Sequence, residues 1–434
     1  MVWQMRKPNR YPELIVRPTS VNEVSEAIGY ARRAGLKIAA KSGGHHQWAN
    51  FLRDEGMLLD MWNFRGLAVD PDRGTAHVGP SLWGYQFDHE LARHGYAFPV
   101  ARAPTVPLGG YLLGGGIGIN WDNWGGPSCF SVLGAEVVTA DGNLLSVSPE
   151  RHQDLYWALR GGGNGFPGVV TRFNLKLYPR PGFIATSTYS FPASYLEEVA
   201  DWVVDLAEGG LQKAGVIMVL ATDPSAAINA PPAETLLCTV RVDVFADSET
   251  EARGILSQVT RHPMARKAAQ RSEFQPTDLE TMFVGRPGKK RSFGLERHSV
   301  DNIWTDTPKD ALINIRESLL EAPSRRSRVV VVVKDHQNPL PDAAFSVKAS
   351  AYIGIFMVWD NAAEDAAILA WLRKNSTAMQ PFASGHYINE VDVQGNPQKI
   401  RRSFSPEAWQ RLRAVRKKYD PNGVFHDFFG LANG

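Results

Sequence analysis

Only two cysteines, Cys129 and Cys238, occur in 434 residues, too few and too far apart in sequence for a disulfide framework or a cysteine-based zinc cluster. A reducing compartment is expected. Neither sign of charge dominates: 47 Lys and Arg stand against 45 Asp and Glu, a formal net charge of +2. No basic block interleaved with aromatics occurs, so nucleic acid is not expected as a partner. No apolar run approaches the ~20 residues that span a bilayer, and Met1-Val2-Trp3-Gln4-Met5-Arg6-Lys7-Pro8 lacks the apolar core of a secretion signal. The chain therefore reads as soluble and cytoplasmic with no membrane partner, although a chain already processed for export would read the same way. Internal repeats and low-complexity tracts are not found.

What the chain does have is glycine, gathered into three turns within its first 170 residues. The first is Ile38-Ala39-Ala40-Lys41-Ser42-Gly43-Gly44-His45-His46-Gln47-Trp48, an apolar strand, a glycine pair and an imidazole. The second spans residues 109–118 and the third residues 161–168. Glycine at such turns tolerates positive φ and carries no Cβ to hold a ligand away from peptide N–H groups. Three of them beside β-like runs describe a large anionic cofactor bound by backbone, where ordinary loop glycines would be the plainer alternative.

The length exceeds the roughly 100–200 residues usual for one domain, so two are expected. Ser20-Val21-Asn22-Glu23 has the pattern of a capping box, Val24, Ile28 and Ala31 continue at helical spacing, and Gly35 stands where a left-handed residue ends a helix. This predicts a helix over 21–34 feeding a strand at 36–40, with the first glycine turn at the strand end. Residues 135–139 and 144–147 flank Asp141-Gly142 as a hairpin. A short helical piece at 155–159 and a strand at 169–177 follow. From about residue 182 the glycine turns stop and strands alternate with amphipathic helices at 197–206, 216–220, 236–244, 249–259, 310–320, 329–333, 351–359 and 361–375. This is the texture of a second α+β domain, with 329–333 as plain core strand. Asn229-Ala230-Pro231-Pro232 and Arg286-Pro287-Gly288-Lys289-Lys290 read as surface loops. A helix over 406–418 stops at Asp420-Pro421-Asn422-Gly423, after which Val424-Phe425 re-enters a core.

The third turn contains Gly163-Asn164-Gly165-Phe166-Pro167-Gly168, a literal G-x-G-x-x-G. A nicotinamide-binding fingerprint must leave a strand and open a helix. Here the order is reversed, since Val169-Val170-Thr171-Arg172-Phe173 is the strand that follows, and a nicotinamide-dependent dehydrogenase is disfavoured.

Taken jointly, Arg17-Pro18-Thr19-Ser20, Lys41-Ser42-Gly43-Gly44-His45, Pro104-Thr105-Val106, Gly109-Gly110, Gly114-Gly115-Gly116-Ile117-Gly118, Asp154-Leu155-Tyr156-Trp157-Ala158-Leu159-Arg160-Gly161-Gly162-Gly163, Tyr387-Ile388-Asn389 and Lys418-Tyr419-Asp420-Pro421 resemble the berberine-bridge-enzyme-like FAD-linked oxidases of the vanillyl-alcohol-oxidase superfamily. The resemblance covers nearly the whole chain. It implies an α+β, two-domain PCMH-type FAD-binding fold: residues 1–180 would bind FAD, 181–385 would form a substrate domain on an antiparallel sheet flanked by helices, and 386–434 would return to the FAD-binding domain.

The resemblance further implies that His45 is joined through a ring nitrogen to the flavin 8α-methyl carbon. Neutral imidazole is a good nucleophile near pH 7. An ordinary turn histidine is one alternative; a metal pair with His46 is another, disfavoured because neighbours on an extended segment point apart. Relatives often add a second tether from a cysteine before Pro-Thr-Val, and Ala103 stands there instead, so the FAD is expected to be held by one covalent bond and no metal is expected. Lys41, Ser42, Gly43, Gly44, His46, Val106, Gly109, Gly110, Gly114, Gly115, Gly116, Gly118, Gly168, Val169 and Val170 complete the cofactor-binding set that the resemblance implies. Backbone of residues 42–45 and 114–118 would carry the pyrophosphate; Val169 and Val170 read equally well as strand core. Val106 matches a position that is small where dioxygen reaches the flavin, which favours an oxidase. The partners are then a small-molecule substrate and dioxygen, the product hydrogen peroxide, and the substrate an alcohol or amine. A flavin dehydrogenase with another acceptor and a flavin-bearing binding protein without turnover are the alternatives.

Where alcohol-oxidising relatives have a second tyrosine as base, this chain reads Tyr387-Ile388-Asn389-Glu390. Glu390 is therefore the candidate base or amine partner, or else a rim charge. Tyr387 and Asn389 are expected at the flavin edge, and Lys348 and Tyr352 on strands facing the cleft. Arg291, Glu296 and His298 are further polar candidates, and Trp121 and Trp124 either wall the cleft or pack.

Overall fold

The computed structural model describes residues 2–227, 230–283, 295–334 and 339–431. Its first half holds two small sheets and a two-stranded pairing of Tyr96–Ala97 with Tyr178–Pro179. Strands Leu14–Val16, Met57–Asp60 and Ile38–Lys41 form a parallel trio with Met57–Asp60 at its centre. The second sheet is antiparallel, in the order Leu67–Asp70, Thr75–Val78, Val169–Lys176, Val132–Val138, Leu144–Val147. Helix Val21–Ala34 forms as its sequence predicts. Ser20 Oγ accepts from Glu23 N at 3.2 Å while the Glu23 carboxylate accepts from Thr19 N at 2.7 Å, and Gly35 ends the helix with φ 70°. Such a cap contributes about 1 kcal/mol. The buried face of the helix, Val24, Ala27, Ile28 and Ala31, packs with Ile38, Met57 and Leu59, and so fixes the strand that delivers the first glycine turn.

The second domain is one seven-stranded antiparallel sheet in the order Gln270–Thr277, Phe183–Pro192, Leu236–Ala246, Ala214–Thr222, Arg328–Val333, Ala351–Trp359, Arg297–Thr305. Successive side chains on a strand point to opposite faces. On Ala351–Trp359, Ala351, Ile353, Ile355, Met357 and Trp359 join a core built with helices Leu196–Glu208, Glu249–Arg261, Pro308–Leu320 and Asp365–Ala378. Tyr352 and Phe356, at the alternate positions, belong to a separate aromatic cluster on the other face. Val332 joins that cluster too, so the strand Arg328–Val333 is more than the plain core expected of it.

Residues beyond 405 pack back onto the first half. Helix Pro406–Tyr419 buries Ala408, Trp409, Leu412 and Val415 in the core that holds Leu155, Trp157 and Leu159. Val424 O then accepts from Ile38 N at 2.8 Å, an added partner for the strand before the first glycine turn.

Three strands carried no alternation to read. Phe183–Pro192 is diluted by Ser and Thr, Gln270–Thr277 is a polar, largely exposed edge, and seven consecutive positions of Arg297–Thr305 are buried, Asp301 and Asn302 included. Of the two expected loops, Ala230 N donates to Ala227 O at 3.0 Å and Pro231 is irregular, but Pro232 opens the short helix Pro232–Thr235 instead of continuing the loop; Asn229 and the whole of 286–290 lie outside the described residues, as does Arg291. No helix among the described residues is long and apolar enough to cross a membrane.

Candidate active site

The first glycine turn leaves strand Ile38–Lys41 and is partly open. Lys41 does not serve a ligand with its side chain: its ammonium is buried 2.6 Å from Asp60. Burial works against the Asp60 charge, but the bonds from Lys41 and Arg17 outweigh it and hold the carboxyl below its usual range. His46 also turns inward, its Nδ1 accepting from Trp48 N at 3.2 Å to close the loop. His45 faces the site. Its Nε2 lies 3.2 Å from Thr105 Oγ1 in the Pro-Thr-Val segment, and burial pushes its pKa down to about 3, with His298 adding to the effect. The imidazole is neutral at any physiological pH, which is the nucleophilic form.

The second glycine turn differs from expectation. The amides of Gly109, Gly114, Gly115 and Gly116 already donate, to Pro80 O, Gly110 O, Leu112 O and Tyr387 Oη, at 2.8–3.2 Å. They are not free for a pyrophosphate. Their glycines instead let protein groups approach: a Cβ on Gly115, at φ 123°, would lie 2.7 Å from the Phe345 ring, and one on Gly114 would collide with the Asn389 carboxamide. Gly116 and Gly118 similarly make room for Tyr111. Gly110 is the exception, exposed and with nothing within 4 Å of an added Cβ. Gly168, Val169 and Val170 serve packing: a Cβ on Gly168 would lie 2.6 Å from Val137, and Val169 and Val170 are buried in two different cores. Val106 is half-buried against the core that holds Val100 and Leu108, and its carbonyl accepts from Gly84 N at 3.0 Å.

Opposite stands the short turn Ile388–Glu390, held in place by Asn302. Asn302 Oδ1 accepts from Tyr387 N at 2.7 Å and its Nδ2 donates to Tyr387 O at 3.1 Å, a side-chain imitation of strand pairing. Beside it, the buried Asp301 carboxylate accepts from Lys399 Nζ, from Ser376 Oγ at 2.6 Å and from Asp392 N at 3.3 Å. Tyr387 Oη accepts from Gly116 N and from Asn389 Nδ2, both at 3.0 Å. Glu390 follows at once in the chain, and Tyr352 Oη donates to its Oε2. Burial pushes the Glu390 carboxyl up to about 7, against the opposing bond from Tyr352 and the Arg328 charge. Tyr352 and Tyr387 are both raised by burial with the Glu390 charge adding to it, so both remain hydroxyls.

Around this acid lies the aromatic cluster of Trp121, Trp304, Phe345, Tyr352 and Tyr387, with Ile117, Phe130, Val332 and Phe356 against it. Trp304 Nε1 is buried with no partner among the described residues. Trp121 is thus a wall residue, whereas Trp124 stacks on Tyr178 at 5.7 Å in the first-domain core. Lys348 is corrected: it is exposed, in the segment before strand Ala351–Trp359 rather than on it. Glu296 pairs with Arg326 at 2.8 Å and His298 meets Trp3, away from Glu390. Sequence reasoning missed Trp304, Phe345 and Asn302 altogether; each comes from a segment without a motif.

The residues present suit FAD. The turn at the strand end, with Ser42, Gly43 and His45 half-buried and Gly44 buried, offers backbone amides to a diphosphate. A neutral imidazole follows it, and the second domain presents an apolar aromatic face of the kind that shelters a planar ring.

A profile of the FAD binding domain family matches residues 12–148. The chain is 27% identical over 425 residues to an FAD-linked oxidoreductase, ptmO, of Penicillium ochrochloron, covering 96% of this chain and 90% of that one. It is 32% identical over 213 residues to (R)-6-hydroxynicotine oxidase of Paenarthrobacter nicotinovorans, covering 48% and 46%. Among solved structures, 6-hydroxy-D-nicotine oxidase from Arthrobacter nicotinovorans superposes with a TM-score of 0.83 at 21% identity over 99% and 94% of the chains. Berberine bridge enzyme from Eschscholzia californica gives 0.81 at 19% over 96% and 89%. Residues 12–148 therefore match an FAD-binding domain, and the chain has a two-domain PCMH-type fold. The chain is thus similar over nearly its whole length to FAD-linked oxidoreductases and shares the fold of berberine bridge enzyme.

Proposed function

We propose that this protein oxidises a small alcohol or amine, using FAD joined to His45 and dioxygen as electron acceptor. The observation that carries the reading is Glu390: a carboxyl held near half-ionisation at pH 7, beside Tyr387 and Asn389 where they dock on the second glycine turn. Bound FAD would supply a hydride acceptor for the substrate carbon and a route for the electrons to dioxygen, giving hydrogen peroxide. The protein does the rest. Residues 42–45 bind the diphosphate and His45 holds the ring system. Tyr387 and Asn389, locked to each other and to the second glycine turn, border the substrate side.

Glu390 then takes the substrate O–H or N–H proton, or pairs with an ammonium before doing so. A base works best when its pKa lies near the working pH. The Tyr352 hydroxyl donates to the carboxylate and steadies its ionised form. Trp121, Trp304 and Phe345 keep water from the reacting atoms. The similarity to a protein named as a hydroxynicotine oxidase supports dioxygen as acceptor and a substrate with basic nitrogen.

The test is a panel of alcohols and amines, scored for anaerobic bleaching of the flavin and for peroxide in air. Bleaching with peroxide supports an oxidase. Bleaching without peroxide assigns a different acceptor, and a panel that never bleaches the flavin leaves a binding protein without turnover.

A further inference from the structure

The N-terminal residues carry no motif, yet they run directly over His45. Trp3 N donates to Gly44 O at 3.2 Å, and Gln47 O accepts from Gln4 Nε2 at 2.7 Å and Arg6 Nη2 at 3.1 Å. On the other side, Met5 N donates to Glu296 O at 3.0 Å, Gln4 Oε1 accepts from His298 N at 2.6 Å, and Arg6 Nε donates to His298 O at 3.1 Å. Residues 3–6 thus strap the histidine-bearing turn to the start of strand Arg297–Thr305 in the second domain. The strap's one aromatic, Trp3, lies flat on the His45 imidazole, with ring centroids 4.2 Å apart and planes 9° from parallel. His298 meets the same indole at 4.6 Å.

The geometry of stacking bears on the chemistry of attachment. An imidazole nitrogen attacks through a lone pair lying in the ring plane. An indole on the ring face therefore fixes the tilt of that plane without standing in the path of attack, while Thr105 at the ring edge limits rotation within it. Stacking also removes water from the imidazole and keeps it neutral.

We propose that Trp3 is a positioning residue for covalent attachment of FAD, holding the His45 ring so that one of its nitrogens meets the flavin 8α-methyl carbon. The inference rests on His45 being the tether. Attachment forms one N–C bond and breaks one methyl C–H and one imidazole N–H bond. Both hydrogens and two electrons remain on the reduced ring system until dioxygen removes them as hydrogen peroxide. Trp3 forms no bond and moves no proton in this sequence; it sets a plane.

The experiment uses full-length protein made under riboflavin limitation, given FAD in air, and sampled over time for flavin that stays in the acid-precipitated pellet. Trp3→Ala is expected to slow attachment by about tenfold or more, a barrier change that misalignment of a reacting group readily produces, and Trp3→Phe to restore most of the rate. In a His45→Ala background, removal of Trp3 is expected to leave the dissociation constant for FAD unchanged. Attachment by Trp3→Ala at the wild-type rate overturns the proposal. So does a weakened FAD affinity in the His45→Ala background, which would place Trp3 in binding. Wild-type protein whose pellet holds no flavin overturns the His45 tether itself, an outcome distinct from failure of Trp3 alone.

Discussion

Replacing Glu390 by Gln separates the acid's chemistry from its shape. The amide keeps an oxygen to accept from Tyr352 Oη and fills nearly the same volume, so the aromatic wall is preserved. In the wild type, burial moves the carboxyl from 4.5 to about 7. At about 1.4 kcal/mol for each tenfold step of ionisation, and with some screening by the solvent it still meets, its charged form costs roughly 2–3 kcal/mol of stability. The sign follows from proton binding. Between pH 4.5 and 7 the folded chain holds the Glu390 proton and the unfolded chain does not, so this group lowers stability progressively as pH rises through that window and by its full amount above it. Glu390→Gln is therefore expected to unfold a few degrees higher than wild type at pH 8 and at the same temperature at pH 4.5. Its turnover should fall by about 10²–10⁴-fold, the usual contribution of a positioned base. Wild-type kcat/KM should rise about tenfold per pH unit up to about pH 7 and then level, and the variant should lose that limb. Thermal scans at the two pH values and steady-state pH profiles read both effects. A variant that keeps the limb, or gains no stability at pH 8, refutes the argument that a buried carboxyl at this position is the base.

Two further perturbations test the supports of the site. Lys399→Met leaves the Asp301 carboxylate buried without its ammonium and should cost about 3–5 kcal/mol, read by denaturant unfolding; a loss below about 1 kcal/mol would mean that Ser376 and the Asp392 amide suffice for it. Gly114→Ala puts a Cβ into the Asn389 carboxamide and should displace the turn Ile388–Glu390, lowering kcat far more than it lowers acid-stable flavin, because His45 lies on the first glycine turn; equal losses of both would show that the two glycine turns act as one unit.

The parts of this molecule that were legible in sequence are those where one short segment states its own structure. Helix Val21–Ala34 carries its cap, face and stop within residues 20–35, and strand Ala351–Trp359 lies where its apolar β-branched and aromatic run predicts. The glycine turns were legible as glycine turns but not by purpose. A positive φ or a missing Cβ has the same sequence signature whether the approaching group is a phosphate or the side chain of Phe345, and only the three-dimensional neighbours distinguish them. Strand Arg297–Thr305 was illegible because its polar residues are buried by partners far away in sequence, Asn302 by Tyr387 and Asp301 by Lys399.

The same reasoning explains why the substrate side needed the structure. Glu390 could be named from its place in a motif, but what makes it an acid with a pKa near 7 is its burial by the surrounding wall, which comes from other segments and outweighs the opposing bond from Tyr352. The burial that raises its pKa is not a property of residues 387–390. A carboxyl in that sequence on an exposed loop would stay near 4.5 and be a poor base at pH 7. The motif therefore selects the residue, and the aromatic face of the second domain selects its chemistry.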